Sequence, residues 1–275
     1  MLGTLNVLPR WRSVRGMTIP IWTVDAFAAA RFEGNPAAVC FPPAGAEDAW
    51  LAKVASEMNL SETAFLWPEG DAWRLRWLTP EVEVDLCGHA TLASAHVLFE
   101  RDGGDELAFE TRSGRLTARR VGERIELDFP RTALEAAEPP SGLLEALGVR
   151  GACLRAGPDV LVVLESEGDV RSCAPDFRSL GEVAIRGVMI TAPGDAEGVD
   201  FVSRFFAPGS GIDEDPVTGS AHCALGPYWA GVLDRAVLQA RQLSRRGGSL
   251  EVEVGPERVR LRGRAVTVLK GELTG

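Results

Sequence analysis

The sequence predicts an α+β protein with two similar lobes, each folding a mixed sheet around one helix. Strand patterns outnumber helix patterns, and they do not alternate with helices as a Rossmann fold requires. Two helices of small, apolar residues each begin at a glycine turn, one at Cys87-Gly88-His89 and one at Thr218-Gly219-Ser220. A shift of 131 residues aligns the turns, and four identical pairs then coincide, among them Gly88 with Gly219. An active site is expected in the cleft between the lobes, where ligand sites commonly lie.

The first lobe is predicted over residues 17–129. Its strands are indicated by β-branched and aromatic runs and by alternation of polar and apolar residues. Helices are expected over 46–58, where apolar residues recur at helical spacing, and over 90–99 after the first glycine turn. The predicted strands are 19–27, 37–41, 62–67, 73–78, 107–111, 115–120 and 124–129.

A linker is predicted at 130–140, because three of its 11 residues are prolines and it has no apolar periodicity. The second lobe follows over 141–265, with helices at 142–147, 176–183 and 219–233. Its strands are expected at 160–165, 188–191, 199–206, 237–242, 250–254 and 258–262, and another strand at 266–269. Residues 1–16 are interpreted as an extension, because their arginines follow the short apolar run, the reverse of a signal peptide.

Composition narrows the classes of function. The net charge of −10 and pI near 5.0 argue against a nucleic-acid binder, which needs a basic face. No apolar run approaches the roughly 20 residues of a membrane helix. Five widely spaced cysteines, without a Cys-x-x-Cys pair, favour a reducing, cytoplasmic setting without disulfides.

The glycine turns are candidate anion sites. A strand that enters a helix through a glycine leaves backbone N–H groups free at the helix start, and the helix dipole favours negative charge there. Gly88 and His89 are candidates at the first turn, and Gly219 and Ser220 at the second. Cys87 at the first helix start is expected to have a lowered pKa and to be a candidate base or nucleophile.

Glu62 is the candidate proton-transferring carboxylate. It enters an otherwise apolar strand, so desolvation is expected to raise its pKa toward the range useful for acid–base work. Asp215 precedes a proline and is placed to cap the second helix. His222 in that helix is a weaker candidate, and His96 is expected to be a packed helix residue.

A metal site is not predicted. Cys87, His89, His222 and Cys223 are residue types that suit zinc, but neither pair has the usual ligand spacing.

Five blocks, in order along the chain, carry a resemblance to a known family. They are Glu33-Gly34-Asn35-Pro36-Ala37-Ala38-Val39, Ser61-Glu62-Thr63-Ala64-Phe65, Arg76-Trp77-Leu78-Thr79-Pro80, Asp85-Leu86-Cys87-Gly88-His89-Ala90-Thr91 and Asp215-Pro216-Val217-Thr218-Gly219-Ser220-Ala221. Together they resemble the phenazine-biosynthesis PhzF-like family.

The resemblance implies the diaminopimelate epimerase-like fold, in which the final strand, here 266–275, often returns to the first lobe. It also implies a cofactor-independent isomerase, often a homodimer, that moves a proton on a small carboxylated metabolite. The best-characterised activity isomerises trans-2,3-dihydro-3-hydroxyanthranilate. By motif match, the proton-transferring glutamate of the family is Glu62, its cleft histidine His89, its aspartate Asp215 and its serine Ser220.

Two alternatives stay open at this point. An amino-acid epimerase or racemase of the diaminopimelate epimerase or proline racemase type would use Cys87, but it would need a second thiol at the equivalent turn position, which is Thr218. A non-catalytic small-molecule binding protein would keep the fold and the cleft. The true substrate is not indicated by the sequence.

Overall fold

The computed structural model describes residues 18–274, which fall into two compact units. Unit 1 comprises Thr18–Ala26, Pro36–Leu127 and Ala265–Thr274, and unit 2 comprises Phe27–Asn35 and Asp128–Arg264. The predicted extension at 1–16 lies outside the described residues.

Over this part of the chain there are eighteen strands and six α-helices. The strands are β1 Thr18–Ala26, β2 Asn35–Cys40, β3 Glu62–Glu69, β4 Ala72–Leu78, β5 Glu83–Val84, β6 Glu106–Thr111, β7 Gly114–Val121, β8 Arg124–Pro130, β9 Glu135–Ala136, β10 Ala152–Ala156, β11 Asp159–Val163, β12 Gly187–Pro193, β13 Phe201–Ala207, β14 Ile212–Asp215, β15 Val237–Gln242, β16 Gly248–Val254, β17 Arg258–Gly263 and β18 Ala265–Thr274. The helices are α1 Asp48–Met58, α2 Gly88–Asp102, α3 Leu143–Leu147, α4 Glu167–Ser172, α5 Phe177–Gly181 and α6 Gly219–Leu233.

Unit 1 is a mixed sheet packed on α2. β1 pairs antiparallel with β18, β2 pairs parallel with β3, and β4 pairs antiparallel with β3 and parallel with β6. β6, β7 and β8 continue as antiparallel neighbours. Helix α2 contacts β1, β3 and β18, and ten of its 15 residues are buried. The small residues Ala90, Ala93 and Ala95 let the strands approach this helix closely.

Unit 2 repeats this plan around α6. β11 and β12 are parallel, β13 pairs antiparallel with β12 and parallel with β15, and β15, β16 and β17 are antiparallel neighbours. Helix α6 contacts β15, β16 and β17. Gly226 allows the close approach to β16, because a Cβ atom there would lie 2.5 Å from Val252 Cγ1.

The segment Phe27–Asn35 is the main difference from the predicted lobe boundaries, which assigned it to the first lobe. In the structure it is bound by backbone hydrogen bonds within unit 2. Gly34 N–H donates to Gly247 O at 2.7 Å, and Ser249 N–H donates to Phe27 O at 3.1 Å. Asn35, at the end of this segment, therefore belongs to the same unit as the second glycine turn.

Short elements account for the other differences from the sequence expectations. Residues 130–140, expected as a linker, include β9, which pairs antiparallel with β10. Neither β10 nor α4 is predicted from the sequence, since both are too short to show a clear period. Among residues 18–274, no helix has the length and apolar character needed to span a membrane.

Candidate active site

The first glycine turn of unit 1 brings Glu62 against the start of α2. Helix α1 ends at Asn59, whose left-handed backbone (φ 48°) turns the chain, and β3 begins at Glu62. The next four residues of β3 are buried, which fixes this end of the strand in the core. The Glu62 side chain is only 12% exposed, and its Oε2 lies 3.2 Å from His89 Nε2.

Cys87 and His89 complete a three-residue cluster with Glu62. Cys87 caps α2 in an extended conformation (φ −144°, ψ 107°) without a capping hydrogen bond from its side chain. Its Sγ lies 3.6 Å from His89 Nδ1 and 4.0 Å from His89 Nε2. Both side chains are buried, so a thiol, an imidazole and a carboxylate meet in a site with little access for water.

The Glu62–His89 couple is an ion pair. Burial alone raises the pKa of Glu62, but the attraction and hydrogen bond of His89 outweigh burial and leave the Glu62 pKa below its usual value. Burial likewise favours neutral His89, but the charges of Cys87 and Glu62 oppose it and raise the His89 pKa well above 6.5. Because the Cys87 thiol is protonated at neutral pH, we assign the larger part of that effect to the Glu62 carboxylate.

Two sequence predictions about this cluster are therefore wrong. The pKa of Glu62 is lowered rather than raised, because sequence reasoning anticipated desolvation but not the imidazolium beside it. The pKa of Cys87 is raised to about 11 rather than lowered, because burial and then the neighbouring Glu62 charge outweigh the favourable contacts at the helix start. The thiol is consequently neutral near neutral pH.

The start of α2 also offers backbone donors. The first hydrogen bond within the helix runs from Thr91 N–H to Cys87 O at 3.1 Å, so the amides of Gly88 and His89 precede the helical ladder. Gly88 is half-buried, beside the side chains of the cluster. Free amides at a helix start are the groups that bind small anions, and the anion site at this turn stays a prediction.

The second glycine turn, in unit 2, holds Asp215 with an amide and a hydroxyl donor. Asp215 ends β14 and is buried. Asn35 Nδ2 donates to its Oδ1 at 2.8 Å, and the Thr218 hydroxyl donates to its Oδ2. Thr218 caps α6 in the same extended conformation as Cys87 caps α2, with φ −107° and ψ 101°.

Gln242 fixes the backbone of this turn. Its Oε1 accepts from Thr218 N–H at 2.9 Å, while its Nε2 donates to Asp215 O at 2.7 Å and to Thr218 Oγ1 at 3.1 Å. Asn35 Nδ2 also donates to Val217 O at 2.9 Å. Sequence reasoning did not single out either amide. Asn35 appears only as a member of the first motif block, and the signal for Gln242 is a polar residue on the buried face of β15, in register with Leu238 and Ala240.

The remaining candidates take separate places. Gly219 opens α6 and is buried, whereas Ser220 beside it is exposed. His222 is buried, its Nδ1 lies 2.8 Å from Thr218 O, and burial lowers its pKa to about 4, so the ring is neutral. His96, expected as a packed helix residue, is half-buried with Nε2 3.0 Å from Thr267 Oγ1.

One group of side chains in the described part of the chain has donor atoms close enough to hold a metal ion. The donor atoms of Glu62, Cys87 and His89 all lie within 4.8 Å of one another. The Cys223 thiol, weighed above as a zinc ligand, is directed at Gly219 O of its own helix at 3.6 Å.

Comparison with known proteins gives consistent matches. The family model described as PhzC-PhzF, phenazine biosynthesis-like protein, matches residues 24–271. An uncharacterized isomerase of Halalkalibacterium halodurans is 48% identical over 262 residues, covering 94% of this chain and 99% of its own. A crystal structure of a PhzF-family phenazine biosynthesis protein of Enterococcus faecalis superposes with a TM-score of 0.90 and 44% identity, covering 94% and 99% of the two chains.

A more distant match extends the likeness of fold. A structure of a probable proline racemase of Agrobacterium radiobacter, with bound carbonate, superposes with a TM-score of 0.63 at 14% identity over 93% of each chain. At this identity only the fold is comparable. The predicted α+β, epimerase-like fold is thereby confirmed.

Proposed function

Because the chain belongs to the PhzC-PhzF, phenazine biosynthesis-like family, we propose that it is an isomerase that moves a proton on a small carboxylated metabolite, with Glu62 as the base. The observation that supports this most is the buried Glu62–His89 pair. An ionised carboxylate held in a nearly closed site is ready to accept a proton, and relatives covering almost the whole chain are named as isomerases.

The proposed reaction begins with the binding of a substrate carboxylate. The amides of Gly88 and His89 donate to it and stabilise the charge that develops on deprotonation. Glu62 takes a proton from carbon and returns it to a different carbon, so the substrate is isomerised without net gain or loss of protons. No cofactor has a role in this scheme.

His89 and Asp215 have different parts in the proposed scheme. The His89 imidazolium keeps Glu62 ionised before the substrate binds and supplies a positive charge beside the reacting atoms. Asp215, whose carboxylate is held by Asn35 and Thr218, is the proposed acceptor for hydroxyl or amino groups of a ligand.

A cyclic substrate such as trans-2,3-dihydro-3-hydroxyanthranilate fits this scheme, since it carries a carboxylate, an amino group and a hydroxyl. We further propose that the protein works as a homodimer in the cytoplasm. All five cysteines are free thiols, which suits a reducing compartment.

The test is turnover of dihydro-hydroxyanthranilate in D₂O by wild type and Glu62→Gln, with Glu100→Gln as the matched control on an exposed glutamate of α2. We expect deuterium at carbon with wild type and with the control. Loss of a general base predicts a rate lower by about 10²–10⁴-fold in Glu62→Gln. A fully active Glu62→Gln would contradict the assignment of the base.

The racemase alternative would require Cys87 as a thiolate. Its Sγ is within 4 Å of His89, but its pKa of about 11 makes the thiolate scarce at neutral pH. The equivalent position of the second turn is Thr218, which has no thiol. Alkylation by iodoacetamide at pH 7.5 separates the two functions, because a thiolate-dependent racemase would lose its activity and a Glu62-dependent isomerase would keep most of it while Cys87 stays unmodified.

A further inference from the structure

We infer that Glu62, Cys87 and His89 also form a binding site for a Zn²⁺-type divalent cation, and that the bound cation inhibits the enzyme by occupying its base. The binding site stands on the geometry of unit 1 alone. The inhibition rests on the proposed function of Glu62.

The spacing of the donor atoms fits one ion. In a tetrahedral zinc site with a Zn–S bond of about 2.3 Å and Zn–N and Zn–O bonds of about 2.0–2.2 Å, ligand atoms lie about 3.5 Å apart. Here His89 Nε2 lies 4.0 Å from Cys87 Sγ and 3.2 Å from Glu62 Oε2. All three donor atoms lie within 4.8 Å of one another, so one ion between them can contact all three ligands.

The ligand types select the ion. A thiolate, an imidazole and a carboxylate together suit Zn²⁺, Co²⁺ or Cd²⁺, whereas Mg²⁺ and Ca²⁺ prefer oxygen ligands alone. Three protein ligands leave a fourth position for water, as in open zinc sites. Binding releases the thiol proton of Cys87 and the second imidazole proton of His89 to solvent, and the cation then replaces the imidazolium as the partner of Glu62.

The surrounding structure holds the ligands in place before the ion arrives. Glu62 is the first residue of β3, and the next four residues of that strand are buried. Cys87 and His89 flank Gly88, the first residue of α2. The Thr91 hydroxyl donates to Cys87 O at 2.6 Å, which fixes the backbone of the turn. Such outer contacts orient metal ligands and limit the cost of ordering them.

A cation bound to Glu62 is expected to inhibit the proposed isomerisation. A carboxylate bound to a cation is a much weaker base, because the positive charge disfavours the addition of a proton. A metal at this point therefore blocks the proposed proton transfer directly, without any change elsewhere in the fold.

The direct test titrates chelator-treated full-length protein with Co²⁺ and follows the thiolate-to-cobalt charge-transfer absorption. We expect one Co²⁺ per chain with this band in wild type, and displacement of the Co²⁺ by Zn²⁺. Cys87→Ser should abolish the band, while Cys153→Ser, at a half-buried thiol of β10, should keep it. His89→Asn should weaken binding by more than about 100-fold, because loss of outer-shell partners alone costs 10–100-fold, and His96→Asn should leave it unchanged.

A band that persists in Cys87→Ser, or that depends on Cys153, would overturn the site. Glu62→Gln keeps the shape of the side chain and should still weaken Co²⁺ binding by more than about 10-fold, so the assignment does not depend on Cys87→Ser folding well.

A second measurement addresses inhibition. Saturating Zn²⁺ should abolish deuterium incorporation by wild type, and a chelator should restore it. Unchanged incorporation at saturating Zn²⁺ would overturn the inhibition. The cobalt titration needs no substrate, so failure of the proposed isomerisation and failure of the metal site are seen in separate experiments.

Discussion

The two glycine turns share a backbone plan but differ in their electrostatics. Each is capped by an extended residue, Cys87 or Thr218, and each opens a buried helix of 15 residues. At the first turn a carboxylate is balanced by a charged imidazole, Glu62 with His89. At the second turn the Asn35 amide and the Thr218 hydroxyl donate to the Asp215 carboxylate, and the nearby His222 is uncharged.

This difference suits the two turns to different roles. An ion pair with a mobile proton suits a group that must change its protonation state during the reaction. A carboxylate held by an amide and a hydroxyl has a fixed geometry and suits a group that orients a ligand. We therefore propose that the first turn serves proton transfer and the second serves ligand positioning, and single substitutions can disrupt each separately.

The largest expected effect comes from removing the charged partner at the first turn. His89→Asn leaves a buried carboxylate without its cation, and breaking such a pair costs about 3–5 kcal/mol in the free energy of unfolding. The matched control is His96→Asn on the same helix. The His96 ring contacts Thr267 and Glu100 at the edge of the unit, so this substitution should cost less than about 1 kcal/mol in the free energy of unfolding. Chemical denaturation of both variants measures the difference.

The stability that His89→Asn loses relative to wild type should depend on pH. The stabilising effect of Glu62, whose pKa is lowered, is present above pH 4.5 and is lost as the pH falls through its folded value. That of His89, whose pKa is raised, is fully present below pH 6.5 and is lost as the pH rises through its folded value. The stability gap between wild type and His89→Asn should therefore be largest between pH 4.5 and 6.5, and a gap that grows above this window would contradict the ion pair.

A smaller effect is expected at the second turn. Gln242→Leu removes three hydrogen bonds and leaves one buried donor, Thr218 N–H, and two acceptors, Asp215 O and Thr218 Oγ1, which should cost about 2 kcal/mol. Gln239→Leu, at a half-buried glutamine of the same strand, should cost less than about 1 kcal/mol. Because an amide does not titrate, the cost of Gln242→Leu should be the same at pH 5 and pH 8. If the stability lost in Gln242→Leu changed with pH in the same way as that lost in His89→Asn, the two turns would not differ in their electrostatics.

The sequence predicted the parts of the fold that depend on local pattern. Helix α6 at 219–233 and strand β15 at 237–242 match the predicted bounds, since a glycine turn and alternating burial are both visible in the sequence. The family resemblance identified Glu62, His89 and Asp215. Their roles as catalytic and binding residues stay a prediction.

The sequence could not predict how neighbouring groups would reverse the pKa shifts. Desolvation of Glu62 can be inferred from its strand, but the 3.2 Å contact with His89 joins residues 27 positions apart and is seen only in three dimensions. Asn35 and Gln242 were missed for the same reason, since Asn35 reaches Asp215 across 180 positions of sequence. Long-range polar contacts, rather than local propensity, determine the chemistry of both turns.

The most direct test of the contrast between the turns is the titration of the imidazole rings by NMR. The chain has three histidines, so their ring signals can be assigned by single substitutions. We expect His89 to titrate well above pH 6.5 and His222 at about pH 4, with His96 below 6.5. If His89 titrates at or below 6.5, or together with His222, the ion pair at the first turn does not exist and the proposed division of labour is wrong.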